Sequence, residues 1–393
     1  MRIRFQLLLV SISIGGAFLF YASFASDQAE IRKEEVTPIM YQFLGNVMAL
    51  QPMMVNLEAF SRPESQDNII RHLNELYRLS QDLNKYHQLD RTSFEVSMDY
   101  LQQSIREARN SFQSGSKNYS RRMLLSSLNA CSSCHVQVSG EGRDWQVDHE
   151  RLAGSAFEKA EFLYALRHYR ESEVLYRQIV MSFDSSASPR FELDRALERI
   201  LSINLRSQVN LKQTREIIQS FSKNQKLPTS VQALFKKWLQ ELQALERRSR
   251  PNTANMSTAE FESFLRQLLP VENARQLSSE EHMISALYAS GLIYEFVNSG
   301  PSERISPLIL YWLATIEEGL QEDYIYSIGD FYLKECITRF PKSDVASLCY
   351  LHLEEKLMAS FTGSRGVQAV PQELQEELNQ LRQRIQAAQS DKE

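Results

Sequence analysis

Apolar and polar positions alternate with the period of an α-helix along most of this chain. In the first part, apolar residues recur at steps of three and four in four successive segments, with turn-forming residues between them. Long helices joined by short turns predict an antiparallel four-helix bundle over about residues 30–140. The apolar positions of the four segments are Met40, Phe43, Val47, Leu50 and Met54; Ile69, Leu73, Leu76, Leu79 and Leu83; Phe94, Met98, Leu101, Ile105, Ala108 and Phe112; and Leu124, Leu128, Cys131 and His135.

Helical patterns continue beyond the polar, glycine-rich stretch 139–144, which we predict to be a domain boundary. Residues 163–176 resemble part of a tetratricopeptide repeat, as do residues 332–346, whereas the segments between them fit poorly. We therefore predict a degenerate array of helical hairpins over residues 150–370 and a charged C-terminal helix or tail over 371–393. The residues that carry this resemblance are Leu163, Tyr169, Ser172, Tyr176, Tyr332, Cys336, Phe340, Pro341 and Ala346.

Composition supports an all-α protein and argues against nucleic acid as a binding partner. The 393 residues include only 13 glycines and 11 prolines, and few segments alternate with the period of a strand. The net charge is −5, and we find no basic block, so nucleic acid is not an expected partner. A helical array of this kind usually binds a protein or peptide on its concave surface, although it can also serve only as a structural spacer.

The N-terminus has the features of an export signal. Arg2 and Arg4 precede an apolar run over residues 5–24, and small residues end it at Ala25. This pattern predicts a signal peptide over residues 1–25 and a periplasmic protein. The alternative is that residues 5–24 stay as a membrane anchor, since about 20 residues are just long enough to span a bilayer.

Cys131-Ser132-Ser133-Cys134-His135 is the attachment motif of c-type haem. The two thiols add to the haem vinyl groups, and the adjacent imidazole becomes the proximal iron ligand. The motif therefore predicts one covalently bound haem c, held by Cys131 and Cys134 and ligated by His135. The alternatives are half of a zinc site or a disulfide, but zinc needs a second ligand pair, and Cys336 and Cys349 have the wrong spacing to provide one.

With this motif at the end of the fourth predicted helix, residues 34–138 resemble the cytochrome c′ and cytochrome c556 family. The resemblance implies that the four helices enclose the haem and that a residue of the first helix faces its open side. Met40 is the best match to that distal position and Met48 is the second. Two features depart from the family: Val36 replaces the usual arginine, and no basic residue follows His135 within residues 136–139.

Other interpretations of these side chains remain open. The methionines of the first helix are also suited to filling an irregular core. His72 and His87 are further candidates for a second axial ligand, although a partly exposed helical histidine is the commoner case. Cys336 and Cys349 lie on consecutive predicted helices, where they either form a disulfide or stay as separate buried thiols.

The sequence favours an electron-transfer or binding protein over a catalyst. We find no Ser-His-Asp set, phosphate-binding loop or distal acid-base pair. The first hypothesis is an exported monohaem cytochrome that transfers one electron at a time within a complex docked through the helical repeats. The second is a sensor or carrier of a diatomic gas such as nitric oxide that signals through the repeats. The third is a scaffold protein with a structural haem.

Overall fold

A computed structural model describes residues 36–55, 57–84, 92–136, 147–269, 282–299, 304–319, 328–363, 366–367 and 370–390. Most of these residues are helical, so the predicted all-α class is confirmed. A short antiparallel pairing joins Thr362–Gly363 to Gly366–Val367. The helices are α1 (36–54), α2 (Leu57–Ser61), α3 (Gln66–Asn84), α4 (Thr92–Gln113), α5 (Lys117–Val136), α6 (Ala156–Ala165), α7 (Tyr169–Ser182), α8 (Arg190–Leu201), α9 (Leu211–Phe221), α10 (Thr229–Glu246), α11 (Thr258–Leu268), α12 (Met283–Asn298), α13 (Pro307–Gly319), α14 (Ile328–Arg339), α15 (Asp344–Ser360) and α16 (Gln372–Ser390). None of the described helices is long and apolar enough to cross a membrane.

The apolar stripes predicted for the first part of the chain form its interior. Because i, i+3 and i+4 positions share one side of a helix, each stripe lies on one face and packs against the other helices. Met40 is only partly buried, and the side chain of Phe94 lies outside the described residues. The buried members are Phe43, Val47, Leu50, Met54, Ile69, Leu73, Leu76, Leu79, Leu83, Met98, Leu101, Ile105, Ala108, Phe112, Leu124 and Leu128.

Successive long helices of this part run antiparallel. Between α1 and α3, Asn46 Oδ1 lies 2.7 Å from His72 Nδ1. Between α3 and α4, Gln102 Nε2 donates to the backbone oxygen of Ser80 at 2.8 Å. Between α4 and α5, Ser120 donates to the carbonyl of residue 108 at 2.6 Å. The start of α1, the end of α3, the start of α4 and the end of α5 therefore lie at the same end of this group of helices.

Arg121 of α5 holds the opposite end of α1. Its guanidinium donates to the backbone oxygens of Met54 at 2.6 Å and Val55 at 2.9 Å. These carbonyls follow Pro52 at the end of the helix, where no further turn supplies donors to them. Burial lowers the pKa of Arg121, and the charge of Glu158 opposes that shift.

The second part of the chain begins with a helical hairpin. Ser155 starts α6 with a capping box, in which its hydroxyl accepts from the backbone of Glu158. The turn to α7 passes through Arg167 at a φ of 65°. Ser172 of α7 then donates to the backbone oxygen of Ala160 at 2.9 Å, so the two helices pack antiparallel. The resemblance of residues 163–176 to a tetratricopeptide repeat stays a prediction.

A π-helix over Ser202–Ser207 follows α8 and packs closely against α12. Gly291 of α12 permits this approach, because a Cβ there would lie 2.6 Å from the backbone oxygen of Leu205 and 2.9 Å from that of Arg206. Val209 comes next at a φ of 49°, which is unusual for a β-branched residue. The chain therefore changes direction through strained backbone before α9.

Charged side chains lie inside this second part. Arg206 forms an ion pair with Glu317 of α13, and both side chains are almost fully buried. The hydroxyl of Tyr294 accepts from Arg206 at 2.7 Å. A second pair joins Arg199 Nε to Glu161 Oε1 at 3.2 Å. Each pair links helices that are distant in sequence.

The C-terminal helices are joined covalently and by ion pairs. Cys336 of α14 and Cys349 of α15 form a disulfide with their Cα atoms 6.5 Å apart, which settles the alternative that the sequence left open. The segment 371–393, predicted as a charged C-terminal helix or tail, contains α16. It packs on α14 and α15, where Arg382 pairs with Glu354 at 2.5 Å.

Several contacts among the described residues join the first part of the chain to the second. The side-chain amide of Gln51 donates to the backbone oxygen of Ala153 at 2.8 Å and accepts from its nitrogen at 3.1 Å. The rings of Tyr100 on α4 and Phe331 on α14 meet edge to face, with centroids 5.7 Å apart. The predicted boundary at 139–144 lies outside the described residues, and the division into domains stays a prediction.

Candidate functional site

The attachment motif lies in the last turns of α5. The helix runs from Lys117 to Val136, so the backbone is helical through positions 131–135. At about 100° per residue, positions 131, 134 and 135 share the face on which Leu124, Ser127 and Leu128 are buried. The side chains of Cys131, Cys134 and His135 lie outside the described residues, so their roles as haem and iron ligands stay predictions.

Met40 lies at the same end of the helices as the motif, because α1 starts where α5 ends. It is partly buried and packs against the main hydrophobic core. Phe43 and Val47 follow it at i+3 and i+7 and are buried, so Met40 belongs to the inward face of α1. Met48, the second candidate, is also partly buried. This placement is compatible with a distal ligand and with simple packing.

His72 has a local structural role. Its Nδ1 lies 2.7 Å from Asn46 Oδ1, so the ring links α3 to α1. Burial lowers its pKa, and the charge of Arg71 lowers it further, so its neutral form is favoured. His72 is in the first half of α3, towards the end opposite the motif. His87 lies outside the described residues.

The interior near the motif-bearing helix contains hydroxyl groups and apolar side chains. Tyr100 of α4 and Ser126 of α5 form a buried hydrogen bond. The hydroxyl of Ser104, also on α4, is buried and has no hydrogen-bond partner among the described residues. Such a group usually has an unseen partner, for example water or a bound molecule. The helical motif continues a buried face, and the described interior of this part contains mainly hydroxyl groups and apolar side chains, which is compatible with the predicted haem.

One basic cluster was not evident from the sequence. The chain has no long basic block, yet Arg247-Arg248-Ser249-Arg250 directly follows α10, and the fold brings part of this run beside Lys212 of α9. The local signal was three arginines in four residues. It was too short to suggest a site without the contribution from α9.

Comparison with known proteins identifies no relative: no family model, curated protein or solved structure matches this chain.

Proposed function

We propose that this protein is an exported c-type cytochrome that transfers single electrons within a protein complex. The observation that carries the proposal is the five-residue motif Cys131-Ser132-Ser133-Cys134-His135, placed on a helix whose same face is buried. One haem would be held by thioether bonds to Cys131 and Cys134. His135 would be its proximal ligand.

The bound haem supplies an iron that alternates between the ferric and ferrous states. The residues of this chain would control that change through ligation and burial. The imidazole of His135 would ligate the iron, and the apolar faces of α1, α4 and α5 would exclude water. Met40 is the proposed residue on the distal side. A methionine ligand there would favour the reduced state and electron transfer.

We interpret α1, α3, α4 and α5 as the antiparallel bundle of a domain similar to cytochrome c′ and cytochrome c556. Their antiparallel order and the motif at the end of the last helix support this interpretation. The hairpins from α6 onwards would form the array that docks a protein partner. The pairing of α6 with α7 supports it.

We place the protein in an oxidising compartment, the periplasm. The N-terminal pattern over residues 1–25 supports export. The disulfide between Cys336 and Cys349 is an independent support, because such bonds persist in exported proteins and are rare in the cytosol.

Mass spectrometry of the protein purified from the periplasm tests the proposal. We expect the mass of the processed chain plus one haem. Replacing Cys131 and Cys134 by alanine should abolish the added mass. Replacing Cys336 and Cys349 by alanine removes the same number of cysteines and should leave the haem attached. A correctly exported chain with the bare polypeptide mass would overturn the proposal.

Carbon monoxide binding tests the role of Met40 and separates electron transfer from gas sensing. If Met40 ligates the iron, the reduced wild type should resist carbon monoxide, and Met40→Ala should bind it readily. Met53→Ala is the matched control, since Met53 is also a partly buried methionine of α1 but lies near its other end. A wild type that binds carbon monoxide rapidly would favour the gas-sensing alternative.

A further inference from the structure

A cavity of about 710 Å³ opens to solvent between α9, the end of α10 and α12. Four basic side chains and one carboxylate contribute to its lining, so its charge is opposite to that of the whole protein. The basic residues are Lys212, Arg215, Arg248 and Arg250. The cavity also includes the strained turn at Val209.

Only two of these cations are neutralised by neighbouring carboxylates. Arg215 pairs with Glu246 at 3.0 Å, and Arg250 pairs with Glu295 at 2.5 Å. The positive charges of Arg215 and Arg250 are therefore accounted for by ion pairs within the fold.

The other two cations have no acidic partner among the described residues. Arg248 donates to the backbone oxygen of Gln267 at 3.0 Å, which leaves its charge uncompensated. Lys212 is exposed in the first turn of α9. A lysine there is unfavourable for the helix, because the first turn carries the positive end of the helix dipole. An anion bound by Lys212 would compensate this unfavourable interaction with the helix dipole.

Tyr288 adds a hydroxyl group to the lining of the cavity. Its side chain is 4% exposed and has no hydrogen-bond partner among the described residues. Its hydroxyl is not one of the fully buried unpaired groups, so a ligand can reach it from the cavity. Burial raises the pKa of Tyr288, so the group is a neutral donor at physiological pH.

We propose that this cavity binds an acidic peptide segment of a partner protein, with carboxylates held by Lys212, Arg248 and the hydroxyl of Tyr288. Arginine and lysine donate charge-assisted hydrogen bonds to carboxylates, and an arginine can hold both oxygens. A cavity of this volume that is open to solvent accommodates a few residues of extended chain. The proposal does not depend on the presence of haem.

A peptide suits the site better than a nucleic acid. DNA presents one negative charge about every 1.7 Å along its axis and needs a long basic surface. Here only two uncompensated cations meet, on a protein whose net charge is −5. Such a surface repels a polyanion and accepts a short acidic segment.

Isothermal titration calorimetry of the full-length exported protein with acetylated tetraglutamate tests the proposal. We expect saturable binding that weakens as salt is raised, and none with tetraglutamine. Lys212→Glu and Arg248→Glu should each weaken binding by about tenfold. Tyr288→Phe should weaken it by about threefold, with an unchanged circular dichroism spectrum.

Lys223→Glu is the matched control. Lys223 is an exposed lysine just beyond the other end of α9, about 16 Å away along the helix axis, and its replacement changes the net charge equally. It should change the affinity by less than about twofold. Equal losses in Lys212→Glu and Lys223→Glu would show only a general charge effect and overturn the proposal. So would an unchanged affinity in Tyr288→Phe, or tighter binding of oligothymidylate or inorganic phosphate than of tetraglutamate.

Discussion

The two parts of the molecule place polar groups in their interiors in different ways. In residues 36–136, as far as they are described, the ion pairs are exposed, as in Arg78 with Glu75, and the buried polar groups are mainly hydroxyls. In the second part, Arg206 and Glu317 are buried together. An uncharged interior suits a cofactor whose redox potential depends on burial. A buried ion pair instead makes one arrangement of the helices strongly preferred, since any other leaves a charge unpaired.

The largest expected effect follows from breaking the buried pair. Glu317→Gln leaves Arg206 without its carboxylate inside the protein, which should lower the free energy of unfolding by about 3–5 kcal/mol. Chemical denaturation followed by circular dichroism measures this change.

The exposed pair of the first part provides the control. Glu75→Gln removes one of the two carboxylates that pair with Arg78, by the same chemical change, and leaves Asp82 at 2.6 Å. Because the pair is exposed to solvent, this change should affect the free energy of unfolding far less than Glu317→Gln. Equal costs for the two variants would contradict the contrast between the two interiors.

The next largest effect on stability is expected from replacing Gly291, for which Gly45 provides the comparison. Gly291→Ala forces the backbone of α12 away from the π-helix, because its Cβ would meet two carbonyl oxygens below 3.0 Å, and should cost about 1–3 kcal/mol. Gly45→Ala on α1 has no atom within 4 Å of the new Cβ and should instead stabilise by about 1 kcal/mol. Thermal unfolding should show opposite shifts. Shifts of the same sign would mean that the close approach at Gly291 is absent in solution.

A smaller effect concerns pH. Burial alone would raise the pKa of Glu161, but the charge of Arg199 and a hydrogen bond from it outweigh burial, and the pKa lies below the ordinary 4.5. A carboxyl with a lowered folded pKa contributes stability above its unfolded pKa, and this contribution is lost as pH falls through the folded value. Glu161→Gln should therefore destabilise the protein at pH 7 and much less in acid.

Glu241 should behave in the opposite way. Burial raises its pKa, although hydrogen bonds from Ser285 oppose the shift. Its ionised form costs stability at pH 7, and this cost disappears as pH falls through the raised value. Glu241→Gln should therefore be neutral or stabilising at pH 7. Unfolding measured at pH 7 and pH 4 distinguishes the two carboxyls, and equal pH dependence in both variants would contradict these directions.

The smallest expected effect on stability concerns two buried hydroxyls, those of Ser104 on α4 and Ser290 on α12. Neither has a hydrogen-bond partner among the described residues. Replacing an unpaired buried hydroxyl by hydrogen should change stability by no more than about 1 kcal/mol in the stabilising direction. If Ser104 faces a bound haem or its water, Ser104→Ala should destabilise the haem-loaded protein only. Ser290→Ala should have the same effect with and without haem. Thermal unfolding of both forms provides the comparison.

Regular features of this fold were predictable from sequence, whereas contacts between distant residues were not. The stripes ending at Met54, Leu83 and Phe112 were predicted because burial follows the helical period. The attachment motif was found because its chemistry needs a fixed local spacing. The pairing of Arg206 with Glu317 spans 111 positions, and no local pattern indicates it.

The basic cavity was not predicted for the same reason. Lys212 lies on α9 and Arg248 follows the end of α10, so their proximity depends on how α9 packs against α10. The disulfide of Cys336 and Cys349 also required the geometry of two packed helices before one alternative could be chosen.

That disulfide also bears on how the protein matures. Four cysteines permit three pairwise connectivities. Cys336 and Cys349 are only 13 residues apart, so joining them costs less loop-closure entropy than pairing either with a cysteine of the first part. Once closed, this bond removes the two thiols that could trap Cys131 or Cys134 by thiol-disulfide exchange. Under the proposed function, the C-terminal helices would thereby keep the motif thiols available for haem attachment, a contribution to biogenesis made far from the motif in sequence.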